Sequence, residues 1–348
     1  MRAQSTRFLV LGLLGLGGCG LFLGTGVGEL LEDSGLGWGD SLADESRSLD
    51  TAGGEVLPVD TAPPVDTEPP IDTGVEDVGD WAYVSAGWAH SCGVKKDGRV
   101  LCWGLDEYGQ ASPPAETMSI VSAGETHSCG IKLDGTAACW GYDSVGTGDL
   151  DVPEGTWTVV EAAWGQDCVG LRPDGSLEFW GRAVHEGFGN LEGTYVAVDA
   201  DSYFACGIDR GGTISCWSTY LGGDFRAEAV DETPTSGRFL SLELDGSQAC
   251  AVDASGSILC WGHGSTWAPS GTFAAVDVGQ FHKCALRGDG TVTCWGDEDY
   301  LGPSVFDVPK GARFKQISAG GWHSCGVTVG GRALCWGWDY SGQSTPPE

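Results

Sequence analysis

Basic side chains are scarce. The chain has 18 Lys and Arg against 49 Asp and Glu, a formal net charge of -31. Proteins that grip nucleic acid concentrate Lys and Arg to displace counterions from phosphates, so this balance excludes a DNA or RNA partner. Long apolar runs are missing too: residues 8–17 form a stretch of ten, half of the roughly 20 residues a spanning helix needs. No two cysteines stand two to four residues apart, the spacing usual in structural zinc sites. Neither a nucleophile elbow nor a phosphate-cradling Gly-rich motif occurs. No catalytic residue, metal or cofactor is therefore assigned.

Glycine and tryptophan are abundant, at 58 and 15 residues. Gly costs about 1 kcal/mol per helical position, which argues against long helices. Without a Gly-X-Y period the chain is not collagen-like. Many Gly with many Trp instead describes short aromatic-rich strands joined by tight turns. The 14 cysteines sharpen this. Twelve form six pairs, each ten residues apart: Cys92/Cys102, Cys129/Cys139, Cys206/Cys216, Cys250/Cys260, Cys284/Cys294 and Cys325/Cys335. Such regular pairing reads as disulfides, and disulfides imply an oxidising, exported location.

The N-terminus agrees with export. Arg2 and Arg7 flank a short basic region ahead of the apolar run, the pattern of a signal peptide over residues 1–18. Leu16-Gly17-Gly18-Cys19 resembles the bacterial lipobox, which implies cleavage before Cys19 and its lipidation. Residues 20–80 then carry 15 acids and one base, Arg47, around a degenerate repeat of Val-Asp-Thr and Pro-Pro steps. Pro removes hydrogen-bond donors and Asp repels Asp, so residues 19–80 read as a disordered acidic tether. At about 3.1 Å per residue, 60 extended residues hold a domain more than ~100 Å from the lipid. O-glycosylation at its Thr residues and calcium binding by its Asp run are the alternatives.

Residues 81–348 are periodic. An aromatic residue or Met stands eleven residues before each first Cys or its equivalent: Trp81, Met118, Trp157, Tyr195, Phe239, Phe273 and Phe314. Seven units of about 38 residues result, a period that signals a repeat architecture. Within a unit the period is two. In the first, residues 84–87, 90–94 and 99–103 read as three strands, with Lys96-Asp97-Gly98 as a hairpin loop. Such a loop wants a left-handed last residue, hence Gly. All seven units supply one: Gly98, Gly135, Gly175, Gly212, Gly256, Gly290 and Gly331. Centring the turn on Asp97 makes Lys95 and Arg99 the closing hydrogen-bonded pair. Alternation then makes Cys92/Cys102 a non-hydrogen-bonded pair, with Cα atoms about 4.5 Å apart and within disulfide range. One cross-strand disulfide per unit is expected.

Unit three departs. Cys168 lies one residue too far from Asp174-Gly175, and counting outward puts Val169/Phe179 in the disulfide slot. Cys168 is then a buried thiol, unless a bulge restores its direction. The Trp after the second Cys recurs in all units as Trp103, Trp140, Trp180, Trp217, Trp261, Trp295 and Trp336. Period two places these rings opposite the disulfide, packed between units. His90, His127, His282 and His323 each precede a Cys by two, a slot filled elsewhere by Gln166, Phe204 and Gln248. They read as structural, bonding the backbone of their own unit, rather than as metal ligands. Asp143, Asp297, Glu298, Asp299 and Asp339 read as solvated turn acids, with calcium the outside alternative.

Residues 84–94 (Val-Ser-Ala-Gly-Trp-Ala-His-Ser-Cys-Gly-Val) resemble the repeat signature of the regulator-of-chromosome-condensation family. Residues 121–131 and 317–327 match equally well. The later Tyr108-Gly109-Gln110 and Tyr340-Ser341-Gly342-Gln343 resemble the end of that repeat. Units three to five match poorly. The resemblance implies an all-β, seven-bladed β-propeller with four short strands per blade, preceded by the signal peptide and tether. The bottom-up reading yields only three of the four strands. Eukaryotic relatives include a nuclear exchange factor for a small GTPase; the leader, charge and disulfides oppose that role here. A secreted bacterial relative inhibits β-lactamase through one propeller face, which implies a binding role.

The variable loop before each His slot carries an aromatic in five units: Trp88, Trp164, Tyr203, Phe281 and Trp322. Equivalent positions ring one mouth of a propeller axis, so these five are the candidate ligand-binding residues, with packing on neighbouring blades as the bland alternative. The expected molecule is a monomeric, lipid-anchored binding module of the bacterial outer membrane, cell surface or periplasm. Its partner would be an envelope or extracellular protein or a glycan. A structural envelope component is the runner-up, and a propeller hydrolase or lyase comes third.

Overall fold

The computed structural model describes residues 79–143, 150–163, 167–181, 192–201, 204–218, 230–246, 248–262, 266–296 and 302–348. The leader, Cys19 and the tether lie outside the described residues. Within them, seven antiparallel three-stranded sheets follow one another in chain order, one per repeat. The first shows the pattern: an inner strand Trp81–Ala86, a middle strand His90–Lys95 and an outer strand Val100–Gly104. The fourth strand implied by the family resemblance is absent from these sheets. In its place, the segment after the first Trp-Gly turns back on itself: Asp106 accepts hydrogen bonds from the Ala111 N–H and the Ser112 hydroxyl, at 2.8 and 2.7 Å.

The hairpin turns follow from local chemistry. All seven turn glycines have positive φ, between 83° and 94°, where a Cβ would be strained. The Lys95 N–H donates to the Arg99 carbonyl and Gly98 N–H back to Lys95 (2.8 and 2.9 Å), the closing pair expected from the count. Cys92 therefore faces Cys102. The same register sets Cys129 opposite Cys139, Cys206 opposite Cys216, Cys250 opposite Cys260, Cys284 opposite Cys294 and Cys325 opposite Cys335. All six pairs are disulfide-bonded as the spacing predicts, with Cα separations of 4.0 to 4.1 Å. The first Cys of each pair, on the middle strand, is fully buried. Of the second, on the outer strand, Cys260 is buried, while Cys102, Cys139, Cys216, Cys294 and Cys335 are partly covered. Blade three departs as the count from its turn predicts: Val169 pairs with Phe179 and Cys168 with Trp180, without a bulge. Cys168 is a buried thiol.

One bond repeats around the ring. The carbonyl of each turn glycine accepts the backbone N–H of the residue that opens the next blade: Met118 to Gly98, Trp157 to Gly135, Tyr195 to Gly175, Phe239 to Gly212, Phe273 to Gly256 and Phe314 to Gly290. The seventh runs from Trp81 back to Gly331 at 2.9 Å and closes the propeller without strand exchange. The post-Cys Trp rings pack between blades as expected. Trp103 joins a cluster with Val327 and Ala333 of blade seven, and Trp336 one with Ala275 and Leu286 of blade six. Four of the opening aromatics, Trp81, Trp157, Tyr195 and Phe314, meet the Trp of their own blade edge-on or tilted, as Trp81 does Trp103 at 5.6 Å and Tyr195 does Trp217 at 5.2 Å. The Gly after Cys92 makes room for this: a Cβ on Gly93 would collide with the Trp81 ring.

Candidate functional site

The His residues bond across blades, not to the backbone of their own blade. His90 Nε2 lies 2.8 Å from Ser128 Oγ of blade two, and the Ser128 hydroxyl donates to the Gln110 carbonyl in the intervening loop. Trp140 Nε1–H donates to that same carbonyl at 3.0 Å. His323, Ser91, Trp103 and Gln343 repeat the arrangement between blades seven and one. Since each of these Ser hydroxyls is spent on a carbonyl, the His must donate from Nε2. Burial pushes His90, His282 and His323 down to about 3. The Tyr-Gly-Gln motif thereby acquires a physical role: its Gln carbonyl is the shared acceptor of an interblade clasp.

The clasp explains unit three. Val169 holds the slot of Cys92, so Cys168 holds that of Ser91, and Asp167 rather than Gln166 holds that of His90. Cys168 Sγ lies 3.3 Å from His127 Nε2, where the other clasps place a Ser oxygen. Between blades five and six the pair is Gln248 with Lys283. Between four and five it is the apolar pair Phe204 and Ala249, both fully buried. These positions are structural. Asp339 is an exposed turn acid bonded to Ser344 and Thr345 of its own loop, Asp143 is exposed, and 297–299 lie outside the described residues.

The axis carries what the sequence reading missed. All seven inner strands contribute to one cavity of about 90 Å³, well above the roughly 10–15 Å³ that a water needs. Two layers of repeat-equivalent residues line it. The first reads Ser85, Ser122, Glu161, Asp199, Glu243, Asp277 and Ser318; the second includes Gly87 and Gly124 but also Asp201 and Asp245. Each Ser of the first layer accepts the N–H of the neighbouring blade: Ala123 to Ser85, Ala162 to Ser122 and Ala86 to Ser318. Asp199 does the same for Leu244. Six carboxylates from blades three to six thus share one channel. Burial pushes Asp199, Glu243 and Asp245 well above the usual carboxylate range, and their acidic neighbours add to the effect.

Three of the five expected aromatics come together at the mouth of this channel. Trp88, Trp322 and Phe281 belong to blades one, seven and six, which closure makes neighbours. Trp88 and Trp322 meet at 5.6 Å, Phe281 and Trp322 at 4.6 Å, and Trp88 and Phe281 at 6.5 Å. All three are half-buried. Trp338 stacks on Trp322 at 4.6 Å, and Tyr340, 84% exposed, stands edge-on to Trp338. The sequence reading misses Trp338 and Tyr340; their place after a Trp-Gly step at the closing blade is the available signal. Trp164 and Tyr203 lie outside the described residues.

The arrangement is that of a closed seven-bladed propeller built from hairpin-stapled repeats. Residues 81–110, 119–147, 273–300 and 314–343 match the family model described as Regulator of chromosome condensation (RCC1) repeat. Four of the seven repeats thus match that family's repeat, and the fold is the propeller which the resemblance implies. The four matches fall in blades one, two, six and seven, and the acidic blades three to five are the ones left out. No curated protein matches the sequence.

Among solved structures, the CRINKLY ectodomain of the Arabidopsis thaliana receptor kinase ACR4 is similar at 21% identity. The match has a TM-score of 0.63 and covers 76% of this chain and 98% of that one. The ectodomain of the Physcomitrella patens receptor kinase CR4 gives 20% identity and 0.60, over 75% and 74%. Prp20p from Saccharomyces cerevisiae, described with its binding to Gsp1p and histones, gives 13% and 0.57, over 72% and 83%. At these identities the likeness is one of fold. Six disulfides mark an exported protein, and among the described residues no helix is long and apolar enough to cross a membrane.

Proposed function

We propose that this propeller is a lipid-anchored extracytoplasmic binding module, without catalysis, that engages a partner through the aromatic mouth of its axis. The observation that carries the reading is the half-exposed cluster of Trp88, Phe281 and Trp322, extended by Trp338 and Tyr340. Aromatic side chains at a rim concentrate binding energy, and contiguous exposed apolar patches on a monomer usually have a use. The partner is an envelope or extracellular protein, with a glycan as the other candidate. Replacing Trp88 and Trp322 together by Ala is the test. Anchor truncations often cost about 2 kcal/mol or more, so partner binding measured by biolayer interferometry should weaken at least ~30-fold. The rings touch, so the two effects will not add. A large drop in melting temperature with unchanged binding would instead make them packing residues.

The anchor is a separate part of the proposal. Cys19, acylated after removal of residues 1–18, holds the propeller to the bacterial outer membrane through the 19–80 tether. Cys19→Ser should abolish incorporation of labelled palmitate and move the protein to the soluble fraction. Membrane retention of the unlabelled variant would assign the attachment to the propeller.

A further inference from the structure

The mouth and the acidic channel are one surface. Trp88 lines the same cavity as Asp199, Asp201, Glu243, Asp245 and Asp277, so a group resting on its ring also meets those carboxylates. Little within the protein offsets the charge of Asp199, Glu243 and Asp245. Among the described residues no Lys or Arg forms an ion pair with Asp199, Glu243 or Asp245. The cation that attracts Asp245, Lys283, is 4% exposed and bonded to Gln248. Asp199 is occupied by two backbone N–H groups, from Ala200 and Leu244.

The shape of the acid set excludes a metal cage. Calcium takes six to eight oxygens at about 2.3–2.6 Å, yet no three channel carboxylates lie within reach of one another. The one such cluster among the described residues is His127, Cys129 and Cys168, away from the axis. Carboxylates that approach one another in a pair, as Glu243 and Asp199 do, but not in threes, under an aromatic rim, suit a long organic cation, whose alkyl stem lies on a ring while its charged end reaches past it. The protein already uses this pairing internally: Lys95 Nζ sits 3.8 Å over the Trp81 ring and the Arg172 guanidinium 3.5 Å over Trp157. The aromatic surface continues to Trp338 and the exposed Tyr340, beyond the span of one side chain, so the cation comes attached to a larger body.

We infer that the axial mouth receives a Lys or Arg side chain on an extended segment of a protein partner, its stem across Trp88 and its charge toward Glu243 and Asp245. This rests on the aromatic mouth being the binding surface. The groups facing the incoming charge are Glu161, Asp199, Asp201, Glu243, Asp245 and Asp277, with Ser85, Ser122 and Ser318 on the remaining blades and Lys283 behind. Burial holds part of this set protonated, so raising the pH from 6 to 8 should tighten binding, as the exposed surface acids are already ionised there.

The experiment titrates the full-length protein with a fluorescein-labelled tetralysine peptide flanked by Gly-Ser, read by anisotropy. Glu243→Gln with Asp245→Asn should weaken binding about tenfold or more, and Trp88→Ala should do likewise. Asp134→Asn with Asp289→Asn, the same charge change on exposed turns, should alter it by less than about twofold. The acetyl-lysine peptide should not bind. Equal weakening by the exposed pair would reduce the effect to net charge and overturn the proposal, as would absence of binding. Calcium binding that is lost in the axial pair, with no response to peptide, would make the channel a metal site and overturn it too. A partner captured equally by wild type and the axial pair, but lost with Trp88→Ala and Trp322→Ala, would leave the mouth standing and remove the cation alone. Capture retained by all three proteins would remove both.

Discussion

Reduction of the six hairpin disulfides should lower the melting temperature of the propeller by tens of degrees. Each closes a loop with a sequence separation of 10, for which the chain-entropy account gives about 2 to 3 kcal/mol. Six such links sum to about 12 to 18 kcal/mol, against a typical domain stability of about 5 to 15. Residual hairpin structure in the reduced chain trims the sum. Even half of it, at about 2 to 4 °C per kcal/mol for a domain of this size, shifts the midpoint by roughly 20 °C. The blades cannot replace the links with a larger core, because each packs a thin layer of small strands between two neighbours. Scanning calorimetry with and without a phosphine reductant measures the effect, and mass mapping of the unreduced protein should find six ten-residue links. Cys168→Ser is the control. It puts into the blade-three clasp the hydroxyl that Ser91, Ser128 and Ser324 supply elsewhere, so it should leave the midpoint within a few degrees. A shift below about 5 °C on full reduction would mean that the ring closure, and not the staples, holds the fold.

The staples are legible in the sequence because their cause is local. A turn glycine that must be left-handed fixes the centre of a hairpin, and period two then decides which residues face each other. Cys92/Cys102 and Val169/Phe179 both follow from that count, as do the outer-strand partners Cys139, Cys216, Cys260, Cys294 and Cys335. Interactions between units are not legible in the same way. Sequence alone assigns the His slot to bonds within a single blade, whereas His90 reaches Ser128, 38 residues on. Its partner emerges only when neighbouring blades are set side by side. Counting from Cys168 misplaces the blade-three slot by one, on Gln166; the turn at Gly175 is the better reference.

The axial acids illustrate the same limit more sharply. Glu161, Asp199, Glu243 and Asp277 look ordinary in their own strands, where alternation admits a polar residue at every second position. Aligned by repeat, they share a slot with Ser85, Ser122 and Ser318. Only closure of the ring carries that column into one channel. In the sequence Asp201 and Asp245 stand out merely as departures from the Gly-x-x-His pattern. In blades with Gly at that slot, backbones come close: a Cβ on Gly87 would collide with the Gly124 carbonyl oxygen. Blades four and five give up that approach and gain a carboxylate at the axis.

That exchange has a consequence for pH. Asp199, Glu243 and Asp245 are pushed above their ordinary values by burial, so the native state holds protons that the unfolded chain has released. The unfolded state binds fewer protons, and stability falls as pH rises from about 4 toward the raised native values. The buried His residues act the other way. Held down to about 3 in the native state, His90, His282 and His323 contribute stability that is complete above about 6.5 and is lost as pH falls toward 3. Lys283, pushed down to about 8 by burial, begins to titrate only at the upper edge of this range. The wild-type profile is therefore the sum of two opposed slopes, and the axial pair separates them. In Glu243→Gln with Asp245→Asn two of the carboxylate contributions are gone while the His contribution stays. At pH 7.5 this variant should melt several degrees above wild type, since even one pKa unit of native shift is about 1.4 kcal/mol. The gap should narrow as pH falls to about 4, where both side chains are neutral in the folded wild type and roughly half protonated in the unfolded chain. Calorimetric melting curves at half-unit steps from pH 4 to 7.5 would show it. A gap that is constant across the range would assign the gain to packing or to new amide hydrogen bonds. A variant less stable than wild type at pH 7.5 would mean that the two carboxylates are already compensated in the folded channel.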